Sequence, residues 1–478
     1  MQNGYELGFF ITDTFKVSRK LTLDYGLRWD YFGACTYEDG LQFNWDLQSG
    51  NVVAPQPALA KVHPAYTQTG IRVGAGAVVP SPKKSNFRPR LGVAYRLQDH
   101  MVVRGGYGLF TETLGNLHRI QGGGPFQISD TYFNSVQNGR PLFQFPNPFP
   151  AGAGTLASQS ISGYPLETDN GVIHQFNVSL EREIRDLGFR VSYIGSRSRG
   201  MNYNLSINKP PPSLIPFAQS RRPYPQFVNA TFAQSDGRAN YNSAQFEVQR
   251  KRGSLILDFH YTLASNLADY LNLEDPYNHV YWNRDQYTAR HRAVANVTYD
   301  VPFGRGRRFM NAAPAAVDHL LGGWQWNWIS YFQSGQYFSP SFSGADRSNT
   351  NTTGGLPDRI AGGNLASGQR VVDRWFDASG FTLPPVGRFG NSGVNILEGP
   401  GLNLHHLSVV KEFRLTEKLR LNYQAMITDI FNTPHFGFPA TNITVPLQVA
   451  RITGSAGGGA PREKSSQREV QMRLRLEF

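Results

Sequence analysis

The chain has 478 residues, a net charge of +12, 13% aromatic residues and a single cysteine, Cys35. Its mean hydropathy of −0.40 and the absence of any run near 18 apolar residues exclude transmembrane helices. The lone cysteine excludes a disulfide framework and a cysteine-rich metal site, and reads as a passive loop residue. Lys and Arg are scattered rather than gathered in one arm, so the positive charge does not point to nucleic acid.

In chain order, residues 5–17 form a first strand, turned at 18–20 into 21–31. There Leu21, Leu23, Tyr25, Leu27, Trp29 and Tyr31 alternate with Thr22, Asp24, Gly26, Arg28 and Asp30, the mark of a strand with one apolar and one polar face. A long polar region with a small hairpin signal near 41–53 leads to strands 88–97 and 101–110. A second long region, rich in Gly and Pro, runs to about 170.

Strands 172–183 and 188–198 follow, and then a loop over 201–240 carrying Pro210, Pro211 and Pro212. Strands 241–250 and 254–265 pair about 251–253. Strands 290–301 and 322–332 are joined by the longer 302–321. Strands 404–414 and 418–430 pair about 415–417. The last strand, 468–478, sets Val470, Met472, Leu474, Leu476 and Phe478 against Glu469, Gln471, Arg473, Arg475 and Glu477.

This predicts thirteen strands whose twelve connections alternate short and long. Transmembrane β-barrels sort their turns in this way, short on the periplasmic side and long outside, and soluble sandwiches have no reason to. Eleven residues at about 3.3 Å each, tilted by about 45°, span about 25 Å, the height of an outer-membrane apolar band. The expected fold is an all-β antiparallel transmembrane barrel. Its apolar stripe meets lipid through Leu21, Leu23, Tyr25, Leu27, Trp29, Trp324, Trp326, Trp328, Val470, Met472, Leu474 and Leu476. Its wet inner wall carries Arg28, Arg104, Arg292, Arg420, Arg473 and Arg475, with Asp24, Asp30, Glu181, Glu247 and Asp258 among them.

Loop parity places the C-terminus in the periplasm and the N-terminus outside. Residues 1–20 lack a signal-peptide pattern, so the reading is of a chain that has lost its beginning.

No G-x-S-x-G, H-E-x-x-H, Walker A or strand–helix G-x-G-x-x-G appears, so neither catalysis nor a cofactor is expected. His405 and His406 point to opposite faces of one strand and cannot share a metal. Residues 346–351 resemble a calcium loop faintly and lack the carboxylate at the twelfth position. Residues 454–459 read as a flexible glycine-rich linker.

Several stretches resemble TonB-dependent outer-membrane receptors. They include Phe9-Phe10-Ile11-Thr12-Asp13 leading to Leu21-Thr22-Leu23-Asp24-Tyr25-Gly26-Leu27-Arg28, and Pro89-Arg90-Leu91-Gly92-Val93-Ala94-Tyr95 with Val103-Arg104-Gly105-Gly106-Tyr107-Gly108. Tyr299-Asp300-Val301-Pro302-Phe303-Gly304 and Phe431-Asn432-Thr433-Pro434-His435-Phe436-Gly437 continue the match. The likeness is nearest to the Oar-like branch. It implies a barrel of twenty-two strands closed by a plug, energised by the TonB–ExbB–ExbD complex through a TonB box, and taking up a large scarce solute. On that implication residues 1–478 are the C-terminal part of the barrel domain without plug, Phe478 is the signal read by the barrel-assembly machinery, and the other partner is outer-membrane lipid. Two competing readings are an adhesion barrel or simple pore, and a soluble β enzyme.

Overall fold

The computed structural model describes every residue except 1, 65, 67–69, 113–123, 128–135, 138–139, 142–158, 168, 415, 417–418 and 456–466. Most of the second long region, turn positions 415 and 417, the expected strand start at 418 and residues 456–459 of the expected linker lie outside the described residues.

Among the described residues, thirteen long strands follow one another in a single antiparallel meander. They are β1 (Glu6–Lys16), β2 (Leu21–Phe32), β3 (Asn86–Gln98), β4 (Met101–Thr111), β5 (Val172–Ile184), β6 (Leu187–Ser206), β7 (Ala230–Arg250), β8 (Leu255–Ala268), β9 (His291–Asp300), β10 (Trp324–Gln333), β11 (Leu402–Arg414), β12 (Arg420–Thr428) and β13 (Glu469–Glu477). Each pairs with its sequence neighbours, and among the described residues β1 and β13 each have one neighbour only, so the sheet is open along those two strands. Consecutive antiparallel strands need only a turn. The connections 17–20, 99–100, 185–186, 251–254, 301–323 and 415–419 therefore gather at one end, and the long connections all gather at the other.

The tightest turn shows how local chemistry sets the register. Ile184 pairs with Leu187, so only two residues close the hairpin. Arg185 takes a φ of 56°, which the right-handed twist of the flanking strands demands, and Arg250 Nε donates to Asp186 Oδ2 at 2.6 Å. That hydrogen bond holds the Asp186 carboxyl below the usual carboxylate range.

One expectation needs correction. The loop read over 201–240 is in fact mostly strand at both flanks, because β6 runs to Ser206 and β7 begins at Ala230. Register shifts at Arg199/Met201 and Met201/Tyr203 break the alternation there. Gly200, at φ 69° against the Gly171 backbone, permits the bend. The connection 301–323, expected to be longer than the other short ones, contains the helix α1 (Ala315–Leu321) and a bridge between Phe303 and Phe309.

The buried apolar core does not lie under the sheet. One cluster joins Phe43, Trp45, Val52, Tyr66 and Ile71 of connection 33–85 to Ile161, Phe227 and Phe232. Trp45 meets the rings of Tyr224 and Phe227 edge-on at 4.6 and 5.7 Å. The hairpin signal near 41–53 is here, with Asn44 opposite Val53. A second cluster joins Phe338, Phe376, Phe381 and Leu397 to Ala450. The described parts of the long connections thus fold into a cap of their own. Many apolar side chains of the strands face outward instead, Ile11, Met472 and Leu474 about 70% exposed (73%, 69% and 69%). In water so large an apolar surface promotes aggregation, and in a bilayer it is the normal exterior.

Candidate functional site

Residues directly opposite in antiparallel strands share a face, so the register sorts every side chain of the sheet. Leu21, Leu23, Tyr25, Leu27 and Trp29 stand opposite Tyr95, Val93, Leu91, Pro89 and Phe87. Trp324, Trp326 and Trp328 stand opposite Lys411, Val409 and Leu407. Val470, Met472, Leu474 and Leu476 stand opposite Ile427, Ala425, Tyr423 and Leu421. Following the pairings from strand to strand puts all of these on one face. Aromatic rings mark both of its ends. Trp29 contacts Phe9 and Tyr31 at 5.9 and 6.0 Å near the long connections. Tyr299 with Trp326, at 6.5 Å, and Trp324 with Tyr423, at 6.2 Å, lie near the short ones.

The other face carries Arg28, Arg104, Arg292, Arg420, Arg473 and Arg475, opposite Arg88, Ser179, Gln333, Glu477, Gln424 and Asn422. Apolar exceptions such as Phe10 and Ile329 occur on it, opposite Arg28 and His406. His405 and His406 indeed separate: His405 Nδ1 lies 2.8 Å from Ser330 Oγ on the apolar face. His406 Nδ1 accepts from the Asp429 amide at 3.2 Å.

Across the polar face, nearer the short connections than the long ones, runs a row of alternating basic and acidic side chains. Arg104 Nε and Arg190 Nε lie 3.2 and 3.1 Å from Glu181 Oε1. Arg190 Nη1 lies 2.9 Å from Glu247 Oε2, and His260 bridges on toward Asp258 Oδ1 at 2.8 Å. The row ties β4 through β8 and separates two hollows. One of about 530 Å3 lies toward the short connections, beside Asp99, His100 and Lys251. The other, about 230 Å3, is lined by Asn177, Ser179, Ser192, Gln245 and Thr262. Sequence reading finds Arg104, Glu181, Glu247 and Asp258 but misses Arg190 and His260. Both occupy polar alternation positions, and only the cross-strand register reveals that they complete the row.

Glu247, Asp258 and His260 offer atoms within 4.8 Å of one another. The Arg190 guanidinium on Glu247 opposes a cation there, because like charges repel strongly at that range. The loop 346–351 is similarly self-contained: Asp346 Oδ1 accepts from Ser348 Oγ at 3.0 Å, and Oδ2 from the Asn351 amide at 2.6 Å.

A second basic group lies near the long connections, where Arg28, Arg88 and Arg90 share a hollow of about 200 Å3 with Asp30. Arg28 Nε sits 2.7 Å from Asp30 Oδ1, Arg88 Nε donates to Thr111 Oγ1 at 2.6 Å, and Arg90 stacks 4.6 Å over Phe110.

Above the strands, Lys209 and Glu274 join three long connections. Lys209 Nζ donates to the Glu274 carbonyl at 2.6 Å, Glu274 Oε2 accepts from the Leu356 amide at 3.0 Å, and Tyr277 Oη donates to the Lys209 carbonyl at 2.7 Å. Burial pushes the Glu274 carboxyl up and the Lys209 ammonium down from their ordinary values.

An open antiparallel sheet with one apolar face rimmed by aromatic rings, one charged face and all long connections at one end defines a transmembrane barrel-type sheet. A family model described as an outer membrane beta-barrel domain matches residues 1–471, and the chain belongs to that family. No curated protein matches it. Among solved structures it is similar to the ferripyoverdine receptor of the Pseudomonas aeruginosa outer membrane, with 10% identity, TM-score 0.46, and coverage of 95% of this chain and 37% of that one. It is also similar to the FrpB iron transporter of Neisseria meningitidis (11%, 0.44, 100% and 46%) and to the siderophore receptor PiuA of Acinetobacter baumannii (10%, 0.44, 100% and 43%). The chain spans less than half the length of each of these three.

Proposed function

We propose that this chain is the C-terminal barrel portion of a TonB-dependent outer-membrane receptor, of the Oar-like branch, that takes up a large scarce solute. The observation that carries the reading is the register. Thirteen strands in sequence order hold one apolar face with aromatic rings at both ends, one charged face, and every long connection on the same side. The motifs quoted above support the receptor class.

On this reading the apolar face meets lipid, and the row from Arg104 to Asp258 lines the lumen with Arg28, Arg292, Arg420, Arg473 and Arg475. The short connections and the C-terminus lie in the periplasm. Contact with TonB–ExbB–ExbD runs through the plug and TonB box of the whole receptor. Phe478, 97% exposed just beyond β13, is the signal for the barrel-assembly machinery. Deleting Phe478 is then expected to leave the protein in periplasmic aggregates, and normal insertion of the deletion counts against that role.

Two measurements test the whole. Cell fractionation is expected to recover the protein with outer membranes, and recovery in cytosol sinks the proposal. In a host expressing it, permeability to a large antibiotic should not rise by itself, whereas a simple pore admits the drug with or without TonB. A second reading, a surface-binding barrel, is favoured by the exposed Tyr277, Trp282 and Tyr287 on the connection 269–290. It predicts binding to surfaces or carbohydrate that is unchanged when TonB is deleted.

A further inference from the structure

The connection 301–323 differs from the other short ones in length and in what it exposes. Its helix α1 (Ala315–Leu321) turns back onto the apolar face. Trp324 Nε1 and Lys411 Nζ both donate to the Leu320 carbonyl, at 2.9 and 3.0 Å, and Trp324 and Lys411 are cross-strand neighbours on that face. The Lys411 ammonium is buried, 5.0 Å from the Trp324 ring centre and 4.8 Å from that of Phe413.

The clamp leaves Leu320 and Leu321 pointing away, 68% and 52% exposed. Phe303 and Phe309, 5.4 Å apart, are exposed on the same connection, where Gly304 lies close to the Gly322 backbone. Arg307 and Arg308 project from the same segment, also exposed, Arg308 over the Phe309 ring at 5.5 Å. Arg307 has one distant acidic neighbour, Asp300 at 4.0 Å. Asp318, the only acidic side chain within the segment, accepts from the Arg305 amide at 2.7 Å and is thus turned inward on the loop.

We propose that residues 301–323 form a foot that docks on the periplasmic-leaflet headgroups of the bilayer. Leu320, Leu321, Phe303 and Phe309 dip into the acyl boundary while Arg307 and Arg308 meet lipid phosphates. The occupant is argued from two features. The apolar patch is continuous with the stripe through Trp324 and Trp326, so the surface that follows it around the sheet is the same bilayer. The charge of the patch is complementary to anionic phospholipid, and apolar side chains flanked by arginines suit a headgroup interface. A soluble protein partner would need a separate apolar face in a space that the membrane already borders. The inference rests on the outer-membrane reading above.

The test uses the full chain with Cys35→Ser, reconstituted in phosphatidylethanolamine/phosphatidylglycerol vesicles. An environment-sensitive fluorophore is placed on Leu320→Cys, and separately on Leu474→Cys as a strand control and Ser367→Cys as an aqueous control. Shallow doxyl-lipid quenchers are expected to quench the Leu320 probe at least half as strongly as the Leu474 probe, and to spare Ser367. Quenching at Leu474 with none at Leu320 overturns the foot and leaves the barrel reading intact. No quenching at either position overturns both.

Exchanging phosphatidylglycerol for phosphatidylcholine should reduce quenching at Leu320 about twofold and leave Leu474 unchanged. Arg307→Glu/Arg308→Glu should abolish that difference. An unchanged response to headgroup charge refutes the role given to the arginines.

Discussion

At the residue scale the two faces of one strand make opposite demands. Leu27 is central in β2 and exposed on the apolar face, whereas its neighbour Arg28 is on the charged face beside Asp30. If the apolar face meets lipid, Leu27→Arg should destabilise the folded protein by about 2–4 kcal/mol, and Arg28→Leu by clearly less. Urea titration in detergent or lipid measures both, and equal effects refute the assignment of faces. Arg190 offers a second case because it holds Glu181 and Glu247 at once. Arg190→Met leaves two carboxylates facing each other, and the expected loss is about 1 kcal/mol because Arg190 is half exposed and water screens the pairs. A double-mutant cycle with Glu247→Gln should recover part of that loss; strict additivity would show that the row is not coupled.

At the scale of elements, the described parts of the long connections behave as a folded layer rather than as tethers. Burial raises Glu274 above its ordinary value of 4.5 and lowers Lys209 below 10.5. A carboxyl with a raised folded value binds its proton more tightly in the folded form. Its contribution to stability is therefore full below about 4.5 and is lost as pH rises through the folded value. For Lys209 the sign is reversed, and its penalty is relieved only as pH climbs toward 10.5. The cap where connections 207–229, 269–290 and 334–401 meet should thus loosen as pH rises from about 4.5 toward neutrality. Near-UV circular dichroism reports the packed rings of the cap during heating. Glu274→Gln keeps an acceptor for the Leu356 amide and should flatten this dependence; an unaltered slope assigns it elsewhere.

At the scale of the whole molecule, the open path of the sheet decides the behaviour of the isolated chain. Strands β1 and β13 have one hydrogen-bonded neighbour each, and both run from the end with the long connections toward the other. Meeting directly, they would form a parallel seam. Left apart, each presents unpaired N–H and C=O groups, which hydrocarbon cannot satisfy. Refolded alone in detergent, the chain is expected to keep its sheet open and so to show no heat-dependent shift in gel mobility. A sharp shift with a uniform conductance in planar bilayers would establish that thirteen strands close unaided.

What the sequence determined by itself was everything governed by period two. Alternation from Leu21 to Tyr31 and from Val470 to Phe478 places side chains on faces without any knowledge of neighbours, since successive side chains of a strand point to opposite faces. Turn residues and loop lengths then give the strand count, and strand bounds agree closely except around Gly200, where the register shifts interrupt the alternation. What only the tertiary structure decided was long-range. Arg190 and His260 are ordinary polar positions until cross-strand pairing sets them beside Glu181, Glu247 and Asp258. Trp45 and Phe227 are 182 residues apart and have no shared period, yet they pack in one core because three long connections converge at the same end of the sheet. The foot at 301–323 is of the same kind: its sequence is a basic, proline-containing turn, and only the clamp of Trp324 and Lys411 on Leu320 lays it against the apolar face. Local alternation is written in successive residues, whereas convergence of loops depends on closing long stretches of chain whose partners no local pattern specifies.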